Sequence, residues 1–263
     1  MSNSSKTDDT ENDPRYAAPA LEKGLDIVEL LAHENDGLGL NEIARALQRT
    51  SSEIFRMVNA LCRRGYITQQ GDRYVLSLKL FELAHRHKPI KSLTAAALPL
   101  MRELVHRTLQ SCHLTVFHAG RVMVVAQVDS PERWAFGLKV GALVGLTDTA
   151  SGYVLLAFQE EAERTRMLVS HRAVEGELDL NQRQLSKAVR EVARGGYAQM
   201  QSRQIRGVSN IAFPIFGSAG HAVAALNVPY IERIDKKITP SIADVKEAVA
   251  GSSRTLSLLM GHV

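Results

Sequence analysis

Cysteine is nearly missing from this chain: Cys62 and Cys112 are the only two among 263 residues. Both fall inside apolar-periodic segments, which excludes a disulfide framework and offers no zinc-ligand spacing. Long apolar runs are also missing, since the longest break well short of the roughly 20 residues that a membrane helix needs. The start of the chain lacks the basic and apolar regions of a secretory signal; it is Ser, Asn, Thr, Asp and Glu almost throughout. Net charge is small, because 32 Lys+Arg against 28 Asp+Glu leave +4. That balance suits an anionic partner without requiring one. Gly (18) and Pro (8) stay at ordinary levels, which excludes a collagen-like chain. No internal repeat is visible. What remains is a cytoplasmic globular protein with room for about two domains.

The polar, acidic residues 1–16 cannot bury enough surface to order themselves and read as a disordered tail. Residues 19–32 carry Leu21, Leu25, Val28, Leu30 and Leu31 as a helical stripe. A turn cluster at 35–39 and a second helix at 40–47 follow. A third helix spans 51–64, with Ile54, Phe55, Val58, Leu61 and Cys62 on its inner side and Thr50/Glu53 spaced as a capping box. Gly65 stops it. Residues 66–68 and 74–76 then read as a hairpin about a turn at 70–73, and 78–86 as a further helix. The pattern breaks at His87–Ile90, which predicts a boundary there, and 92–108 reads as a helix joining two domains. Strands are predicted at 114–117, 121–128 and 134–140. Helices follow at 149–158 (introduced by Asp148 or Thr147), 160–169 and 181–193. A hairpin pairs 211–215 with 222–228, and a last helix starts at Thr239 with Pro240 in its first position and runs to about Leu259. Hairpins mixed with helices, without regular βαβ repeats, predict an α+β class.

Three short helices and a hairpin form a winged helix-turn-helix, whose third helix enters the major groove of DNA. That helix needs an apolar inner face and a polar outer one. Thr50, Ser51, Ser52, Arg56, Asn59 and Arg63 are available outward. Between Arg45 and Arg64 five arginines face one acid. Arg56 is the candidate base reader, because a guanidinium matches guanine bidentately. Arg45 and Arg49 suit phosphate positioning, and Arg73, on the wing, a phosphate or the minor groove. The amides near Ser51 and Ser52 are placed to meet a phosphate. The plainer alternatives are a solvated charged face and a winged module used for protein contact.

Several segments in fixed order resemble the IclR family of bacterial transcription regulators. They are Leu21–Val28 with Leu40–Ala44, Gly65–Ile67 with Tyr74–Leu80, Thr149–Phe158, Gly195–Tyr197, Gly207–Phe216 and Ala224–Val228. The resemblance implies four parts: the tail at 1–16, a winged helix-turn-helix at 17–88, a connecting helix at 89–110 and a GAF-like effector-binding domain at 111–263. It implies dimers or dimers of dimers on double-stranded operator DNA near catabolic genes, with repression or activation controlled by a small carboxylate or aromatic metabolite. It places Thr149, Ala150, Ser151 and Gly152 at one wall of the effector site. Asn210, Ala212 and Asn227 would line the facing strands, and Trp134, Phe136 and Leu146 would supply apolar surface. Many members have Cys at the position of Asn210 and Ser at that of Asn227, and several an acid near Met200. Met200 with Trp134 therefore points to an effector with a ring or apolar body; the plainer reading makes both core filler.

Enzymatic readings are poorly supported. The nine histidines include no HExxH frame, and neither His85/His87 nor His113/His118 sits in a comparable ligand set. Ser151 is not in a GxSxG elbow. The acids Asp8, Asp9, Glu11 and Asp13 lie in the tail, and Gly217–Gly220 is a hairpin turn. No catalytic residue, metal or cofactor is expected. The alternatives are a sensor acting through protein contact without DNA, and, behind it, an enzyme.

Overall fold

The computed structural model describes residues 18–86, 88–178, 181–235 and 238–262. The predicted tail lies outside them. The chain divides into two compact units, 1–87 and 88–263.

The first unit holds α1 (Pro19–Leu31), β1 (Leu38–Gly39), α2 (Leu40–Ala46), α3 (Ser51–Arg63), β2 (Ile67–Gln70), β3 (Arg73–Leu76) and α4 (Lys79–Arg86). Its core joins Ile27 and Leu31 of α1, Ile43 and Ala44 of α2, and Ile54 and Val58 of α3 to Ile67 and Tyr74 of the hairpin. Fully burying each aliphatic side chain stabilises the unit by about 1.5–3 kcal/mol. Gly71, at φ +65°, supplies the left-handed residue that the β2–β3 turn needs. Three details differ from the sequence expectations. Residue 38 pairs with Tyr74, so part of the expected turn cluster is an edge strand, β1. The buried stripe of α1 runs through Ile27 and Leu31, four apart, which rotates Leu21 (62% exposed) and Leu25 (51%) outward. Phe55, read as part of the inner face of α3, is 49% exposed, because Ile54 and Val58 already define the seam.

The second unit holds α5 (Lys88–Thr108), β4 (Cys112–His118), β5 (Arg121–Val128), β6 (Leu143–Val144), α6 (Ala150–Ala157), α7 (Glu161–Val169), α8 (Gln182–Gly195), β7 (Ala198–Gln201), β8 (Val208–Phe216), β9 (Ala222–Ile231) and α9 (Ile242–Leu259). Six antiparallel strands run in the order β6-β5-β4-β9-β8-β7. One sheet face packs Leu114, Ile211 and Leu226 against Ala97, Met101 and Leu104 of α5 and Val245 and Val249 of α9. The other packs Val122, Val124, Ala212 and Ala225 against α6 and α8. The unit is α+β, as the composition of hairpins and helices implied.

The boundary read at 87–90 falls where the two units divide, between 87 and 88, and α5 starts there at Lys88 rather than at the expected residue 92. Pro89 falls in its first turn, where N–H groups have no intrahelical partner and proline is tolerated. Residues 134–140 form no strand; Gly137 lies against Gln127, and the edge strand is Leu143–Val144. The last helix begins at Ile242, since Ser241 and Asp244 form a capping box that outweighs the Pro240 signal. Neither Asp148 nor Thr147 caps α6. Thr149 does, accepting a hydrogen bond from the Gly152 N–H at 3.0 Å. Strand β7 had no counterpart in the periodicity. Among the described residues no helix is long and apolar enough to cross a membrane.

Candidate DNA interface and effector cavity

Helix α3 starts at a closed capping box. The Thr50 N–H donates to Glu53 Oε2 at 3.1 Å and the Thr50 hydroxyl donates to the same oxygen at 2.9 Å. Glu53 also takes a hydrogen bond from Lys23 Nζ at 2.9 Å, which ties α1 to α3. Lys23, followed by the Thr50 backbone and hydroxyl, holds the Glu53 carboxyl down at about 2. The positive end of α3 is thus met by an internal carboxylate, which weakens the expectation that the amides at Ser51 and Ser52 receive a phosphate. The Ser51 hydroxyl donates to Asn41 Oδ1 at 2.8 Å, joining the starts of α2 and α3.

Arg45, Arg49, Thr50, Ser52, Arg56, Asn59 and Arg63 are exposed, as is the ring of Phe55 between them. Ser51 and Arg73 are half-buried. Arg73 is engaged within the unit. Its guanidinium donates to the carbonyls of Asp36 (3.1 Å) and Gly37 (2.9 Å) and lies 3.1 Å from a Glu42 carboxylate oxygen. It braces the wing to the α1–α2 loop and does not join the outward set.

In the second unit, pairing and strand parity place chemistry on one sheet face. His113 lies opposite Asn227, Asn227 opposite Ala212, and Met200 opposite Asn210. Side chains alternate along a strand, so all of these point toward α6. There they meet its first turn and enclose a cavity of about 70 Å³. Of the residues expected to hold an effector, Phe136, Thr149, Ala150, Ser151, Met200, Asn210 and Asn227 line it. Leu146, Gly152 and Ala212 do not. They are buried in the α6-side core, and a side chain on Gly152 would run into the Leu146 carbonyl oxygen. The glycine serves close packing of that loop. Trp134 is also elsewhere: 62% exposed, it stacks under Arg133 (4.3 Å to its centroid) and Arg233 (5.1 Å) beside a separate cavity.

Five polar residues that periodicity could not pick out join the lining: His113, Asp148, Ser202, Arg203 and Gln204. His113 Nε2 lies 3.2 Å from Asn227 Nδ2, which donates to Asn210 Oδ1 at 3.1 Å. Burial pushes His113 down to about 4, so the ring is neutral near pH 7. Burial also raises Asp148, opposed by a hydrogen bond from the Leu178 N–H to Oδ2 at 3.0 Å. Nearby, burial alone would raise Glu177. Hydrogen bonds from the Thr147 N–H (2.9 Å), the Val174 N–H (3.1 Å) and the Thr147 hydroxyl (2.8 Å) outweigh it and hold that carboxyl below its usual range. Asp148 and Glu177 together pin residues 174–178 to the loop that introduces α6. Leu138, Val144, Ile205 and Val208 make the remaining walls apolar, and the exposed Arg203 carries a positive charge at the rim. The site thus offers a cation, the Asp148 carboxyl raised by burial, uncharged donors and acceptors, and an apolar body; among the described residues no group of three or more His, Cys, Asp or Glu could hold a metal ion.

Comparison with known proteins agrees with both units. Residues 89–257 match the family described as bacterial transcriptional regulator IclR C-terminal, and residues 20–71 match the IclR helix-turn-helix domain. The HTH-type transcriptional regulator KdgR of Escherichia coli is 26% identical over 260 residues, covering 97% of each chain. The HTH-type transcriptional regulator BhcR of Paracoccus denitrificans is 28% identical over 250 residues, covering 92% of this chain and 87% of that one. Among solved structures, an IclR homolog complexed with 4-hydroxybenzoate from Microbacterium hydrocarbonoxydans superposes with a TM-score of 0.75 at 20% identity, covering 92% of this chain and 98% of the other. Thermotoga maritima IclR superposes at 0.71 with 21% identity, covering the same shares. With a winged module ahead of an α+β cavity domain, and family matches spanning both, this chain belongs to the IclR family of bacterial transcriptional regulators.

Proposed function

We propose that the protein is a sequence-specific regulator of a catabolic operon, controlled by a small organic acid bound in the second unit. The outward face of α3 carries this reading. Ser52, Phe55, Arg56, Asn59 and Arg63 form one exposed, mostly polar stripe, beside Arg45 and Arg49 and opposite the Ile54–Val58 seam. A helix so divided fits a major groove. Arg56 reads guanine, Phe55 is placed to meet a thymine methyl, and Arg45 and Arg49 hold phosphates. One such helix with a small net charge binds weakly alone. Two or four on a palindromic operator supply the affinity, which makes a homodimer or a dimer of dimers the working form.

The effector is a carboxylate with an apolar or aromatic body. Arg203 supplies charge attraction, the first turn of α6 meets the anion, and Phe136, Leu138 and Met200 enclose the body. The bound acid must favour one arrangement of the reading helices over another to regulate at all. Calorimetry with benzoate, 4-hydroxybenzoate, pyruvate and glyoxylate, followed by operator binding with and without each acid that binds, tests the proposal. An aromatic acid that binds and shifts operator affinity is expected. Tight binding of the two small acids alone removes the aromatic preference, and operator affinity indifferent to every bound acid removes the regulatory link.

A further inference from the structure

The second unit contains a chain of three buried or half-buried polar side chains that reaches from the sheet interior to the cavity. It starts at His113 on β4 (4% exposed), passes through Asn227 on β9 (2% exposed) and ends at Asn210 on β8, and all three residues line the cavity. One polar atom of the Asn227 amide bridges the other two side chains, 3.2 Å from His113 Nε2 and 3.1 Å from the Asn210 amide.

We propose that His113 is a positioning residue for effector specificity: through Asn227 it fixes the Asn210 amide so that the sheet wall of the cavity presents N–H donors, and so selects a carboxylate or another acceptor-rich group. The inference rests on the organic-acid reading above and adds what sets the polarity of the wall. Two arrangements fit the same heavy atoms. In the first, His113 carries its proton on Nδ1 and its Nε2 accepts from Asn227. The Asn210 oxygen is then occupied, and its NH2 faces the cavity. In the second, His113 carries its proton on Nε2, both amides are turned over, and the Asn210 oxygen faces the cavity. Neither His113 Nδ1 nor the second polar atom of the Asn227 side chain has a partner among the described residues. The first arrangement therefore strands one buried hydrogen, on Nδ1, plus a carbonyl oxygen. The second strands two hydrogens, on the Asn227 amide. Orphaned buried N–H groups are rarer than under-satisfied carbonyls, so the first prevails. Burial keeps the ring neutral, which the Nε2 acceptor role requires. A serine or cysteine at the position of Asn210 or Asn227 could not pass this orientation along, since a hydroxyl or thiol rotates freely.

Two measurements on the full chain test this. Long-range proton–nitrogen correlation spectra, with His113 assigned by its disappearance in His113→Gln, report the ring tautomer without any ligand. A neutral ring protonated on Nδ1 at pH 7 is expected; protonation on Nε2, or a charged ring, overturns the proposal. Benzoate binding by calorimetry is the second. His113→Leu, which removes the acceptor, should weaken benzoate at least tenfold, while His113→Gln, whose side-chain oxygen can stand in for Nε2, should recover to within about threefold of the parent. Equal binding by all three proteins, or a loss that glutamine does not restore, overturns the positioning role. If the parent chain binds no benzoate while the tautomer is as expected, the organic-acid reading fails and the relay stands.

Discussion

Helices α3 and α6 begin alike and are used in opposite ways. Each is capped by a threonine, Thr50 or Thr149, with a serine at its first or second position. They part at the third. In α3 that residue is Glu53, whose carboxylate lies against the positive end of the helix. In α6 it is Gly152, and the Leu146 carbonyl fills the space a side chain would need. The first helix is closed at its start and presents its chemistry sideways, through arginines and Asn59 on a solvated face. The second is buried along its whole length and presents only its first turn, to a cavity. The acid nearest the start of α6 is Asp148, one residue before its cap, and burial raises that carboxyl, whereas Glu53 in α3 is held well below its usual range.

The sharpest way to break the contrast is to force a side chain into the third position of α6. Gly152→Ala should cost about 3 kcal/mol of stability in the second unit, the upper end for overpacking a rigid site. Urea unfolding followed on a probe in that unit would read it, and a midpoint unchanged from the parent would remove the packing role assigned to Gly152. Next in size is a pH effect. Burial holds His113 at about 4 when folded, against its ordinary value of 6.5. The unfolded chain then binds the extra proton first as pH falls. The stability present above about 6.5 is lost progressively as pH falls through the interval down to about 4. The loss amounts to roughly 3 kcal/mol at its largest. His113→Gln should be correspondingly less sensitive over that interval, so the difference between the two stability–pH curves isolates the ring. Parallel curves would mean that His113 is not buried neutral.

The first unit offers the contrasting break. Arg56→Ala should weaken specific operator binding by about 1–3 kcal/mol per reading helix, with relaxed preference at one base pair and little change in folding stability. Footprinting against a set of operator variants would show it; unchanged affinity and unchanged preference would exclude Arg56 as a reader.

The two regions were also unequally legible in the sequence. Helix α3 could be read directly, because its signals are local: a capping box, a seam at 3.6-residue spacing and a stop at Gly65. Even there the spacing places Phe55 on the inner face although it is 49% exposed, since one residue of rotation separates it from Ile54. The cavity was half legible. The resemblance carried Thr149–Ser151, Asn210 and Asn227 onto the lining, but not His113 or Arg203. His113 becomes a cavity residue only through its pairing with Asn227, 114 positions away, and no local period encodes that partner. Arg203 lies in the loop between β7 and β8, where periodicity is silent. Trp134 misled for a related reason: an indole in an apolar stretch reads as lining or core, whereas Arg133 and Arg233, one of them distant in sequence, hold it at the surface.

The smallest effect separates two arginines that the sequence treated alike. Arg45 is exposed beside the reading helix, whereas Arg73 donates to the Asp36 and Gly37 carbonyls and pairs with Glu42. A phosphate contact releases counterions, so its loss lowers the slope of log affinity against log salt by about one per contact. A brace contributes to folding and leaves that slope alone. Arg45→Ala should therefore flatten the salt dependence with unchanged stability, and Arg73→Ala should lower stability by about 1 kcal/mol, the net worth of a typical hydrogen bond, with the slope intact. Binding titrations at three salt concentrations, alongside thermal melts, assign each arginine. A reversed pattern would return Arg73 to the DNA face and leave Arg45 a solvated charge.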